Sequence, residues 1–169
     1  MKPYFDMLAG YNAWCNEQVY DAAARLSDAD YRADRGAFFK SVHGTLNHLL
    51  VADRIWMRRF TGEGDTPNRL DAVLVDSFKA LRAARRAEDE RIVTYIDGLN
   101  DAALAGRIRY RAVSSPAEFE QPLAPALSHF FNHQTHHRGQ VHCLLTGLGL
   151  DAPSLDLVLY QRTSGKGMS

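Results

Sequence analysis

The sequence predicts an all-α protein, an up-and-down four-helix bundle with a short β-hairpin before the last long helix and a short C-terminal helix. Three observations carry this. Four amphipathic stretches of roughly 20 residues recur along the chain, Gly- and Pro-bearing breaks separate them, and only one short segment alternates with period 2. Helices of that length bury their apolar stripes efficiently as a bundle, with functional groups projecting between facing helices.

The first helix is read from about Lys2 to Leu26, with Phe5, Leu8, Trp14, Val19 and Ala22 spaced by threes and fours. Ser27-Asp-Ala-Asp breaks the pattern, and a loop with Gly36 runs through Arg32–Phe39. Ser41 caps a second helix to about Phe60, which is apolar around most of its circumference and should be deeply buried. The turn at Gly62, Gly64 and Pro67 leads to a third helix, expected from Asn68 or Leu70 to Asp97. Its stretch Arg82–Arg91 alternates basic and acidic residues and reads as a solvated face. Ile108, Tyr110 and Ala112 alternate with Arg107, Arg109 and Arg111, which predicts a ribbon pairing with 118–121 across a Ser114-Ser-Pro turn. The three arginines are its wet face. Pro122 and Pro125 open the last long helix, which runs to about Leu145 before Gly147 and Gly149. Leu155–Tyr160 forms a short final element. The domain is taken as 1–163, with 164–169 as a flexible tail.

Composition narrows the function. Twenty Lys and Arg balance twenty Asp and Glu, so nothing argues for a nucleic-acid partner. No apolar run reaches the roughly 18 residues of a membrane span, and no signal-peptide core opens the chain, so a cytoplasmic location is expected. Cys15 and Cys143 are far apart and are read as buried, inert thiols. The sequence holds no P-loop, G-x-G-x-x-G or G-x-S-x-G pattern, which argues against nucleotide-dependent chemistry and an α/β hydrolase.

The chemistry concentrates in Ser128–Gln140, where His129, His133, His136 and His137 fall within one stretch. His133 and His137 are one turn apart on one helix face, the spacing that offers two imidazoles to one metal ion. Ala126, Phe130 and Leu144 share that face, so it points inward. His136 is rotated off it. His48, midway along the second helix among Leu49, Leu50 and Val51, supplies a third imidazole from across the bundle, whereas His43 points to a different surface. Three imidazoles suit zinc, nickel, copper or iron and leave a coordination position open. A stacked histidine pair is also compatible with ordinary core packing. His129 and Gln140 share the His133 face and are candidates to orient the imidazoles. Arg138 either contacts a ligand or serves the fold, and Gly139 is consistent with close helix approach. The Glu of H-E-x-x-H is absent, which removes the zinc-protease reading.

Y-N-A-W-C-N at Tyr11–Asn16, H-G-T-L-N-H-L-L-V-A-D-R-I-W at His43–Trp56 and N-H-Q-T-H-H-R-G-Q at Asn132–Gln140 resemble the DinB family, the DinB/YfiT-like metalloenzymes. The resemblance implies a divalent metal ion, zinc or nickel being the expected choices, on His48, His133 and His137, with His136 not a ligand. It further implies a small-molecule substrate, a homodimer and one of two activities. These are a hydrolase-like reaction, or a transferase or isomerase reaction dependent on a low-molecular-weight thiol. A non-catalytic, stress-associated metal-binding protein is the competing reading.

Overall fold

The structure is a computed structural model and describes residues 1–113 and 117–168. It contains helices α1 (Lys2–Ala23), α2 (Asp28–Arg32), α3 (Val42–Thr61), α4 (Phe78–Asp97) and α5 (Asp101–Leu104), strands β1 (Arg107–Arg111) and β2 (Glu118–Pro122), then α6 (Leu123–Gly147) and α7 (Leu157–Ser164). The four long helices α1, α3, α4 and α6 form the expected bundle. α1 packs on α4 and α6, and α3 packs on the same two, so α1 and α3 occupy opposite corners.

Side-chain pairs give the chain directions. Asn16 meets Asp89 and Asp21 meets Arg82, so α1 and α4 are antiparallel. Asp53 meets Arg85 and Thr61 meets Arg91, so α3 and α4 run the same way. His48 lies against His137 and Trp56 against His129, so α3 and α6 are antiparallel. The order is up, down, down, up, so the four-helix bundle is as expected but its helices do not alternate up and down as the expected topology has them. Two consecutive helices can run parallel only if the connection returns along the bundle, and 62–77 does so. Its backbone passes Arg58 at Gly64, His48 at Leu70 and Asn47 at Val75.

That return path corrects the expected third helix. Residues 68–77 are not helical, and α4 starts only after Ser77, whose Oγ accepts from the Ala80 N–H. The buried Asn47 amide holds the preceding backbone extended. Its Oδ1 accepts from the N–H groups of Leu74 and Val75 at 2.9 and 3.0 Å, and its Nδ2 donates to the Val75 carbonyl at 3.2 Å. A helix there would leave the buried Asn47 amide oxygen without its two donors, which is costly.

Other boundaries follow local chemistry. Ser41 caps α3 by accepting from Gly44 at 3.0 Å, as expected. Ser27 similarly caps the short α2, which occupies the break read at Ser27-Asp-Ala-Asp and ends where the loop from Arg32 begins. Pro125 sits in the first turn of α6, where a missing N–H costs nothing. In the ribbon, Arg109 faces Glu120 and Arg111 faces Glu118, and Arg107 also pairs with Glu120, so each of the three exposed arginines has a carboxylate across the strands. The Ser114-Ser-Pro turn lies outside the described residues.

The core has two apolar halves. One centres on Phe5, Leu8, Ile92, Leu127 and Phe130, the other on Tyr20, Leu46, Leu49, Leu81 and Leu145. Between them runs a polar layer that corrects the reading of Arg82–Arg91 as a solvated face. Arg85 is 2% exposed, and Glu88 and Asp89 are buried. Arg85 Nη1 lies 2.6 Å from Asp53, and Nη2 lies 3.0 Å from Asp89. Asp89 accepts from Asn16 and Asn12, whose carbonyl oxygens accept from Arg138, and Gln134 donates to Asp53. The chain of contacts leaves α6 at Gln134, crosses α3, α4 and α1, and returns to α6 at Arg138. Burial pushes the Asp53 carboxyl up to about 7 against the pull of Arg85.

Candidate metal centre

His48, His133 and His137 come together between α3 and α6, with one nitrogen of each within 4.8 Å of the others. Ring centroids are separated by 4.4 Å for His48 and His137, 4.3 Å for His133 and His137, and 5.3 Å for His48 and His133. His48 and His137 are buried and His133 is half-buried.

Two of the rings are oriented by hydrogen bonds. His48 Nδ1 lies 2.7 Å from the Leu70 carbonyl, which can only accept, so Nδ1 carries the proton and Nε2 keeps its lone pair. His137 Nδ1 donates in the same way to Gln140 Oε1 at 2.8 Å, while Gln140 Nε2 lies 3.2 Å from His136 Nε2. His48 Nε2 is buried and, among the described residues, has no hydrogen-bond partner. A buried polar atom without a partner is expensive, and neutral imidazole nitrogens with the opposite nitrogen anchored are the donor set that divalent transition metals prefer. The residues fit a metal ion.

Electrostatics hold the cluster neutral. Burial, followed by the proximity of His137, lowers His48 to about 4 despite its bond to Leu70. Burial and the neighbouring imidazoles lower His133 to about 3. Burial lowers His137 as well.

The surroundings come from two connections. Phe39, between α2 and α3, stacks on His48 with centroids 3.7 Å apart and planes 15° from parallel, and meets His137 edge-on at 5.6 Å. Lys40 beside it has φ of 67°, a left-handed conformation rare for a side-chain-bearing residue. A Cβ on Gly44 would sit 2.1 Å from the Phe39 carbonyl oxygen. Glycine at that position therefore lets the Phe39 segment lie against the first turn of α3. On the other side, a cavity of about 220 Å³ is lined by His48, His133, His129, Trp56, Arg59 and Leu70 together with small apolar side chains.

Of the remaining candidates, Gln140 orients a histidine of the cluster, as expected for a residue on that face. His129 packs on Trp56 at 5.1 Å and on His133 at 6.0 Å and lines the cavity. His136 is exposed and outside the cluster. His43 lies apart, against the Tyr31 hydroxyl. Arg138 serves the fold through the buried ring and lies over Tyr11. A Cβ on Gly139 would meet nothing within 4 Å, so close helix approach does not explain it. Cys15 is buried as expected but Cys143 is exposed, because its face of α6 turns outward toward Gly36 and Phe38. The Leu70 carbonyl and Phe39 were missed because the first acts through backbone and the second through a loop. His-adjacent Gly44 was the one available signal of a close backbone approach.

An up-down-down-up helical bundle with a three-histidine cluster between its second and last long helices defines a class of candidate metal-binding proteins. The DinB family model matches residues 1–168, and the chain belongs to that family. It is 24% identical over 175 residues to protein DinB of Bacillus subtilis (strain 168), covering 95% of both. A crystal structure of a DinB-like protein from Bacillus cereus ATCC 10987 shares the fold, with a TM-score of 0.61 and 22% identity over 83% of this chain and 89% of the other. No described helix is long and apolar enough to cross a membrane.

Proposed function

We propose that this chain is a metal-dependent enzyme acting on a small molecule, with a divalent ion, zinc or nickel, held by His48, His133 and His137. The observation that carries this reading is the buried, partnerless His48 Nε2, presented beside two further neutral imidazoles. Among the described residues, the group of His, Cys and carboxylate side chains close enough to share one ion has three members. Three protein donors with a neighbouring cavity match catalytic rather than structural sites. A divalent ion held there supplies Lewis acidity toward a carbonyl or a thiol.

The protein's own part is positional. Leu70 and Gln140 fix the imidazoles as donors, and Phe39 covers one side of His48 against water. Of the two activities implied by the resemblance, the cavity favours the thiol-dependent transferase or isomerase. Its described lining carries no Asp or Glu, which leaves the His129 imidazole as the base beside the cluster, and Asp53, five residues beyond His48, is committed to Arg85 and Gln134. A thiol is acidic enough for an imidazole to take its proton and leave a thiolate that a bound ion would hold, whereas water is far less acidic.

Cobalt-loaded protein tests this. A small thiol such as 2-mercaptoethanol should change the visible spectrum saturably, with one equivalent bound per site. A spectrum indifferent to thiol, azide and cyanide would mean a closed, structural ion and would contradict the enzyme reading.

A further inference from the structure

Arg59 is half-buried near the C-terminal end of α3 and lines the cavity that holds His48 and His133. Side chains on a helix lean toward its N-terminus, so Arg59 reaches back along α3 toward Trp56. Its guanidinium lies over two rings, 4.4 Å from the centre of Trp56 and 4.5 Å from that of Tyr110. Nη2 donates to the Arg111 carbonyl at 3.1 Å, the one hydrogen bond the side chain makes to the described residues. Arg carries five N–H donors, so most of this fork is uncommitted. Among the described residues no carboxylate stands within ion-pair distance of it.

The contrast with nearby arginines is direct. Arg107, Arg109 and Arg111 each pair with a glutamate of the ribbon, and Arg91 pairs with Glu88. Arg59 alone among these is pressed against aromatic faces, in a place where burial works against its charge. Cation–π contact offsets part of that cost and fixes the plane of the fork, but apart from the Arg111 bond its in-plane N–H groups find no acceptor among the described residues.

The geometry points to Arg59 as an anion-binding subsite at the end of the cavity away from His48, with His129 beside it on Trp56, and so to a small substrate bearing a carboxylate. Between the two ends lie Ala52, Ile55, Trp56 and Leu70, which form an apolar waist. The matching ligand is therefore amphipathic, with an apolar middle, a carboxylate on the Arg59 fork and its reacting end toward the histidines. The orientation of that reacting end rests on the metal-site reading above; the subsite itself does not. A volume of about 220 Å³ lies below the roughly 300 Å³ at which drug-sized pockets begin, so the ligand is short.

The test titrates metal-free and zinc-loaded protein with 3-phenylpropionate and, in parallel, with neutral 3-phenylpropanol at fixed ionic strength. Binding is followed by calorimetry and by the Arg59 Nε–H resonance. The acid should bind about tenfold more tightly than the alcohol and shift that resonance. The preference should vanish in Arg59→Gln and survive in part in Arg59→Lys, with zinc stoichiometry the same in all three proteins. Equal affinity of acid and alcohol, no saturable binding of the acid at millimolar concentration, or a preference retained in Arg59→Gln would overturn the assignment. Should Arg59→Gln fail to fold, the wild-type comparison and the resonance decide. Zinc uptake is read on the same samples. Wild type that prefers the acid but takes up no zinc would contradict the metal reading while supporting the subsite.

Discussion

The bundle buries two neighbouring sets of polar side chains, one spanning all four long helices and one between α3 and α6, and it treats them differently. In the ring of Gln134, Asp53, Arg85, Asp89, Asn12, Asn16 and Arg138, charge meets charge or amide, with both carboxylates on Arg85 and Arg138 on the two asparagine amides. In the cluster of His48, His133 and His137, the hydrogen bonds run outward from the rings to Leu70 and Gln140, and lone pairs are left facing inward. The ring answers its charges internally, although Arg85 Nε and Gln134 Oε1 have no hydrogen-bond partner among the described residues. The cluster is arranged to receive a ligand. Burial alone therefore does not distinguish a structural polar group from a functional one; the direction in which its hydrogen bonds are spent does.

The largest expected effect lies in the ring. Arg85→Ala leaves Asp53 and Asp89 buried without their cation, and urea denaturation should show a loss of about 3–5 kcal/mol. A loss below about 1 kcal/mol is what an exposed ion pair would give and would mean that the layer is solvated. Gly44→Ala comes next. The added methyl meets the Phe39 carbonyl, and an overpacking cost of about 1–3 kcal/mol is expected, together with weaker zinc binding as Phe39 leaves His48. Smaller still is Gln140→Leu, which removes the acceptor for His137 and should weaken zinc about 10- to 100-fold at unchanged stoichiometry. Unchanged affinity would show that Gln140 does not orient the ring.

Acid should also separate the two regions. The folded-state values of His48 and His133, about 4 and about 3, lie below the ordinary 6.5. As pH falls below 6.5 the unfolded chain takes up protons that the folded protein refuses, so metal-free protein should lose stability progressively toward pH 4. Above pH 6.5 these histidines contribute no slope. Denaturation midpoints of wild type and His133→Phe across that range check this, and the variant should show the shallower fall.

Much of this was legible in the sequence because its signals are local. Ser41 before an apolar run specifies a cap, and His133 and His137 at i and i+4 specify a shared face. The arginines of β1 alternate as a wet strand should. What stayed hidden depends on distant partners. Arg85 and Asp89 form an i, i+4 pair that a solvated helix would also carry, and only Asp53, Asn12 and Asn16 on other helices show it to be buried. The late start of α4 is imposed by Asn47, and Ser77, which caps it, is the local signal that the longer helical reading passed over. Cys143 was read as buried from apolar neighbours, yet its side of α6 faces outward.

The central claim is that His48, His133 and His137 hold one ion. The most direct measurement is a zinc titration of untagged, metal-free protein, comparing wild type with His133→Ala and His136→Ala. One equivalent bound by wild type and by His136→Ala, with none bound tightly by His133→Ala, is the predicted result. Equal loss in both variants, or no stoichiometric zinc in wild type, would contradict it and return the three histidines to the polar core.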